Sequence, residues 1–182
     1  GLMVLAEWTE NDALRAAIRR LPDAMEKAVR CDWSALLEGL DGKSSLYILG
    51  RGPSQPIAAE VALKFKETSG MHAEAYSAAE VLHGPVSIVG KGFPVLAITL
   101  PDAAEAHVLE VCKRVAGQGA NVFIAGSALD GAVALPTASS GHSTVDALVR
   151  NASFYGFVEQ LSRRRGFDPD KPPHLRKVTE TV

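Results

Sequence analysis

From Leu46 onward the chain alternates short, continuous apolar runs with helical segments, and that rhythm limits the possible folds more than any other feature. Leu46–Leu49, Pro94–Ile98 and Asn121–Ala125 read as strands with no polar side. Ala132–Leu135 adds a last short strand, and His72–Tyr76 is extended before a short helical segment around Ser77–Leu82. Helices are expected over about Gln55–Ser69, Asp102–Ala116 and Ser143–Arg164. Strands that are apolar all round must be covered on both faces. A mainly parallel sheet between two helix layers does this, with right-handed crossovers. The pattern therefore predicts an α/β chain built as a three-layer αβα sandwich.

Ahead of the rhythm, Thr9-Glu10-Asn11-Asp12 can cap a helix that runs to about Arg30. Leu14, Ile18, Leu21, Met25 and Val29 recur every three or four residues and mark its buried face. Pro22 lies inside this stretch, where it is expected to kink or split the helix. A short helix follows around Trp33–Leu40. Three parts result: a helical connector over 1–43, the α/β domain over 44–165 and a Pro-rich, polar tail over 166–182 that adds nothing to the core.

Hydrophobic residues make up 47% of 182 positions, enough for one buried core, and the formal net charge is −2. Arg163-Arg164-Arg165 is the only dense basic run. It ends a helix, where cations suit the dipole, so no nucleic acid partner is expected. No apolar run approaches the roughly 20 residues that span a bilayer, and no membrane partner is expected. Cys31 and Cys112 lack metal-ligand or disulfide spacing and read as buried thiols of a cytoplasmic protein. The chain opens at Gly1 inside the apolar run Leu2–Leu5, which suggests a fragment or a processed chain.

Three groups of residues could carry chemistry. Gly50-Arg51-Gly52-Pro53-Ser54 joins a strand to a helix, so its N–H groups and the helix dipole could meet an anion, with Ser54 capping the helix. Gln55 breaks the dinucleotide fingerprint, the Walker pattern is absent, and a plain turn fits the same residues. On the following helix Ile57, Ala58, Val61, Ala62 and Phe65 form an apolar arc, while Glu60, Lys64 and Glu67 share another. A carboxylate beside a lysine suits proton transfer. A solvated salt-bridge ladder fits this spacing equally well. His72, Glu74 and Tyr76 share one face of an extended segment, and His83-Gly84-Pro85 places a titratable group on a turn. No histidine pair has zinc-ligand spacing, so neither a metal nor a cofactor is expected.

The run from Leu49 through Glu67, the run from His72 through Pro85, and the tail from Asp168 through Pro172, Leu175 and Lys177 together resemble the SIS (sugar isomerase) family. They are similar in particular to the second SIS half of glucosamine-6-phosphate synthase and of SIS-type glucosamine-6-phosphate deaminases. The resemblance implies a flavodoxin-like sheet and an active site shared between two SIS halves of one parent chain and a neighbouring subunit. It makes Glu67 the base that moves a proton between C1 and C2 of a hexosamine 6-phosphate, with Glu60 and Lys64 beside it. His83 would assist ring opening from across a homodimer interface, and Lys177 would close over the open-chain sugar. Gly50, Arg51, Gly52, Pro53, Ser54 and His72 are the implied substrate-binding residues. On this basis Glu67, Lys64 and Lys177 should converge at the mouth of the Gly50–Ser54 turn. A Glu67 on the far side of the fold would leave an ordinary layered α/β protein.

The chain also departs from the family pattern. The serine-rich phosphate loops belong to the first SIS half, and here the corresponding loop reads Thr99-Leu100-Pro101-Asp102-Ala103. Leu82 stands where the synthase usually has Lys, and Val178-Thr179-Glu180-Thr181 follows Lys177. No part resembles a glutaminase, and Gly1 is not a cysteine nucleophile, which favours a deaminase-type parent. The alternative is a phosphosugar-sensing module of a regulator, for which the catalytic stripe and the tail lysine have no use.

Overall fold

The computed structural model describes residues 1–175. Its centre is a sheet of five parallel strands: β1 (Ser45–Gly50), β2 (His72–Ser77), β3 (Pro94–Ile98), β4 (Asn121–Ala125) and β5 (Val133–Leu135). They lie in the order β2-β1-β3-β4-β5. Ser45 stands opposite His72, Gly50 opposite Ser77, and Pro94 opposite Asn121, so all the strands point the same way. Alternation along each strand fills two core layers. Leu46, Ile48, Leu96, Ile98 and Phe123 face one layer, and Tyr47, Leu49, Val95, Ala97 and Ile124 the other. This is the flavodoxin-like αβα sandwich, and the strand order reverses between β1 and β3.

The first layer holds α3 (Ser34–Gly39), α4 (Ser54–Ser69) and α6 (Ser143–Arg164), with Phe65, Phe154 and Phe157 stacked between α4 and α6. The second holds α5 (Glu105–Gly117) and two 3₁₀ turns, Glu80–His83 and Pro85–Ile88. Where a single short helix was expected around Ser77–Leu82, β2 runs on to Ser77 and the two 3₁₀ turns follow, separated by Gly84 at φ 142. Helix α5 starts at Glu105 and not at Asp102, whose side chain accepts from the Ala104 N–H in a turn ahead of it.

Ahead of α3 the connector adds two further helices, laid outside α6. α1 (Leu2–Trp8) occupies the opening apolar run, which carried no helical expectation, and packs against α2 (Asp12–Ala28). Asn11 caps α2 by accepting from Leu14 N, and Pro22 neither splits nor ends it. Pro22 is on the solvent side, where water can satisfy the carbonyl that its ring leaves unpaired. The buried face is centred on Ala17, Ala24 and Ala28, while Val29 is 57% exposed. Small side chains let α2 approach α6 closely, and a period count that weights only large residues misses that rotation. Cys112 is buried, which pushes its thiol up to about 12. Cys31 is only partly buried, contrary to expectation.

The basic run ending α6 works by contact as well as through the dipole. Arg163 pairs with Glu159 and Arg164 with Asp41, while Arg165 donates to the carbonyls of Ser69 and Lys43. No helix among the described residues is long and apolar enough to cross a membrane.

Candidate active site

The apolar arc of α4 is buried as its spacing requires, and this fixes where the polar stripe must lie. Glu60, Lys64 and Glu67 share the flank that faces α6, each about 26–31% exposed. Lys64 Nζ lies 2.6 Å from Glu67 Oε2 and 3.7 Å from Glu60 Oε1. Tyr155 of α6 donates to that same Glu60 oxygen at 2.7 Å. The hydrogen bond to Glu67 holds the Lys64 ammonium above its ordinary range, against the opposing pull of burial. Burial first, then the bond to Glu60, raises the Tyr155 phenol. The stripe is thus a linked set of two carboxylates, an ammonium and a phenol, open to solvent on one side.

The end of α4 that carries Glu67 is firmly anchored. Gly70 closes the helix in the left-handed conformation at φ 57, and Met71 N returns to Phe65 O. Ser162 donates to Thr68 O at 2.7 Å and Arg165 to Ser69 O at 2.8 Å, so α6 satisfies two carbonyls that the helix end leaves free. Phe167 lays its ring over Gly70, giving the start of the tail a packing role that the sequence did not suggest. Beside Glu67 opens a groove of about 400 Å³ lined mainly by Lys66, Gly70, Phe167, Pro173, His174 and Leu175. A second hollow, of about 440 Å³ between Phe123 and Val133, has Glu38 as its only titratable lining residue and none of the stripe.

The Gly50–Ser54 turn lies at the opposite end of α4. Thirteen residues separate Ser54 from Glu67, a rise of about 20 Å, so the expected convergence at the mouth of the turn does not occur. The turn itself is closed. Ser54 Oγ accepts from Arg51 N and donates to Arg51 O, and so it does not cap α4. Gln55 N donates to Gly52 O. Asp102 of the loop after β3 leans towards the turn, its Oδ2 3.6 Å from where a Cβ on Gly52 would stand. An anion there would meet the Asp102 carboxylate, and the Arg51 and Gln55 N–H groups are already engaged. Among the residues expected to bind substrate, His72 is also separated from this turn. It begins β2 beside Ser45, at the amino end of the sheet, with a 63% exposed side chain near Glu74. Glu74 in turn accepts from Tyr76 at 2.6 Å, which pushes that phenol up to about 12.

His83 is exposed at the end of the first 3₁₀ turn, whose Val81 is buried in the α5 layer. It therefore stands across the sheet from the stripe on α4. Lys177 lies outside the described residues. Among the described residues no group of three or more His, Cys, Asp or Glu could hold a metal ion. Sequence reading missed Tyr155, Ser162 and Arg165. Their partners are 94 to 96 residues away, and no local spacing signals such a pairing.

Residues 39–164 match the family model for the SIS domain. The chain is 35% identical over 179 residues to glutamine–fructose-6-phosphate aminotransferase (isomerizing) of Aeropyrum pernix, covering 93% of this chain and 29% of that protein. It thus spans less than a third of the length of that curated relative. Among solved structures, a protein of Silicibacter pomeroyi DSS-3 that has been proposed to be a phosphosugar isomerase superposes with TM-score 0.88 at 48% identity. That match covers 93% of this chain and 52% of the other. Glucosamine-6-phosphate deaminase of Thermotoga maritima superposes with TM-score 0.63 at 25% identity, over 92% of this chain and 49% of its own.

Proposed function

The chain belongs to the SIS domain family, and from that premise we propose that it is the C-terminal half of an amino-sugar-phosphate isomerase. The observation that carries this reading is the Lys64–Glu67 pair, 2.6 Å apart and about a quarter exposed, at the rim of a largely apolar groove. A carboxylate that shuttles a proton between adjacent carbons must reach the substrate while being shielded from bulk water, and a cation beside it steadies the charge that develops. Glu67 lies about 20 Å along α4 from this half's own strand mouth, beside which Asp102 places a carboxylate. The phosphate is therefore held by the first SIS half, and this half presents its α4 flank to the sugar.

In this reading Glu67 takes the C2 proton of open-chain glucosamine 6-phosphate, leaving an enolamine, and returns a proton to C1. The C2 imine that results adds water and releases ammonia, giving fructose 6-phosphate. Lys177, from the tail that continues past Leu175, closes over the open chain, and His83 opens the ring in the site of a second subunit. The 48% identical relative is about twice the matched length, which leaves room for one further SIS half. The test is the complete parent protein supplied with glucosamine 6-phosphate, following ammonia and fructose 6-phosphate together. Glu67→Gln should lower kcat by roughly 10²–10⁴-fold while substrate still binds. A kcat equal to wild type overturns the assignment of the base.

A further inference from the structure

Two carboxylates on α4 compete for one lysine, and local helix energetics favour the wrong one. Glu60 is four residues ahead of Lys64, the orientation in which a glutamate–lysine pair gains most, whereas Glu67 follows Lys64 by three. Nevertheless Lys64 Nζ is 2.6 Å from Glu67 and 3.7 Å from Glu60, outside hydrogen-bond reach. The Glu60 oxygen nearest Lys64 is the one that accepts from Tyr155, at 2.7 Å. Tyr155 comes from the facing helix α6, which is tied to the end of α4 through Ser162 and Arg165.

We infer that Tyr155 is a positioning residue: its hydroxyl occupies Glu60 and thereby commits Lys64 to Glu67. It touches neither Lys64 nor Glu67 through a hydrogen bond, and it acts through Glu60 alone. Without the hydroxyl, Glu60 draws Lys64 to itself, and Glu67 is left without its cation. This inference rests on the reading of Glu67 as the base.

The experiment compares Tyr155→Phe, Glu60→Gln and the double variant in the complete parent protein, with Glu67→Gln alongside. Tyr155→Phe should lower kcat about tenfold, the size of losing one charge-assisted hydrogen bond, with KM within about twofold of wild type. In the Glu60→Gln background the same change should cost little, since no charge remains there to compete for Lys64. Independent, multiplicative losses in the double variant, or an unchanged kcat in Tyr155→Phe, overturn the inference. A crystal structure of Tyr155→Phe gives a readout that needs no turnover. Lys64 moved onto Glu60 supports the inference, and Lys64 still bonded to Glu67 overturns it. Glu67→Gln separates the two levels: wild-type turnover there removes the base assignment and the inference with it, while a dead Glu67→Gln beside a fully active Tyr155→Phe removes the inference only.

Discussion

Gly70 shows how a single position holds the candidate base in place. Its φ of 57 is a conformation that costs a side-chain-bearing residue about 1–2 kcal/mol, and a Cβ there would come within 2.6 Å of the Phe167 ring. Gly70→Ala should therefore destabilise the fold by about 2–3 kcal/mol, a fall in Tm of roughly 6 °C for a chain of this size. In a Phe167→Ala background the further cost of Gly70→Ala should shrink to the backbone part, because the ring it collides with is gone. Thermal unfolding of the four proteins checks this, and equal costs in both backgrounds would rule out the steric part. At this scale the sequence was informative wherever chemistry follows local spacing. Offsets of four and three placed Glu60, Lys64 and Glu67 on one flank of α4, and the structure finds them linked there. It was silent about Tyr155, because a hydrogen bond across 95 residues leaves no trace in a helical period. It misplaced Ser54, because a hydroxyl at a helix start can turn back on its own loop as readily as it caps the helix.

Among the elements, the link between β5 and α6 depends on a buried polar strap. Asp146, fully buried, accepts from Ser139 Oγ, Ser140 N and Ser140 Oγ. Arg150, 5% exposed, donates to Ala138 O and faces Asp146, while Arg20 of α2 donates to Ser140 O at 2.7 Å and Trp33 to Pro136 O at 2.9 Å. Burial pulls the Arg150 guanidinium below its ordinary value, and Asp146 offsets part of that. Asp146→Ala strands three donors and leaves a buried cation uncompensated, so it should cost about 3–5 kcal/mol. Denaturant unfolding measures that loss, and a change below 1 kcal/mol would show that water replaces the carboxylate. Element boundaries were largely legible, since apolar runs of strand length and a 22-residue amphipathic stretch admit few alternatives. The helical connector was read less well. The centre of the α2 face is alanine, which a search for large apolar residues passes over, and the seven-residue α1 is too short to show a period. The separation of Glu67 from the glycine-rich turn was legible but overlooked, since a helix expected over Gln55–Ser69 already sets its two ends about 20 Å apart. The helix that carries Glu67 begins where that turn ends, and adjacency in sequence was taken for proximity in space.

At the scale of the whole molecule, that separation bears on how many chains make one site. His83 is exposed beside Val81 on the α5 side of the sheet, and the Glu60–Lys64–Glu67 stripe lies on the α4 and α6 side, so the two stand on opposite faces of one copy. If both act, as proposed, His83 must enter the site of a second subunit, and each site of a homodimer combines Glu67 from one chain with His83 from the other. Subunits that each carry one defect should then repair one another. A parent protein with Glu67→Gln and a parent with His83→Ala should each be nearly inactive. In a hybrid of the two, one site carries both defects and the other carries none. Random reassociation after mild dissociation makes half of the dimers hybrid, so the mixture should recover about a quarter of wild-type turnover. Were Glu67 and His83 to serve the same site from one chain, every site in the mixture would keep one defect and no activity would return. Sedimentation of the parent as a monomer at high concentration would exclude the shared site directly. The mixing experiment thus separates a site built across two copies from one built within each, whichever reaction type the parent performs.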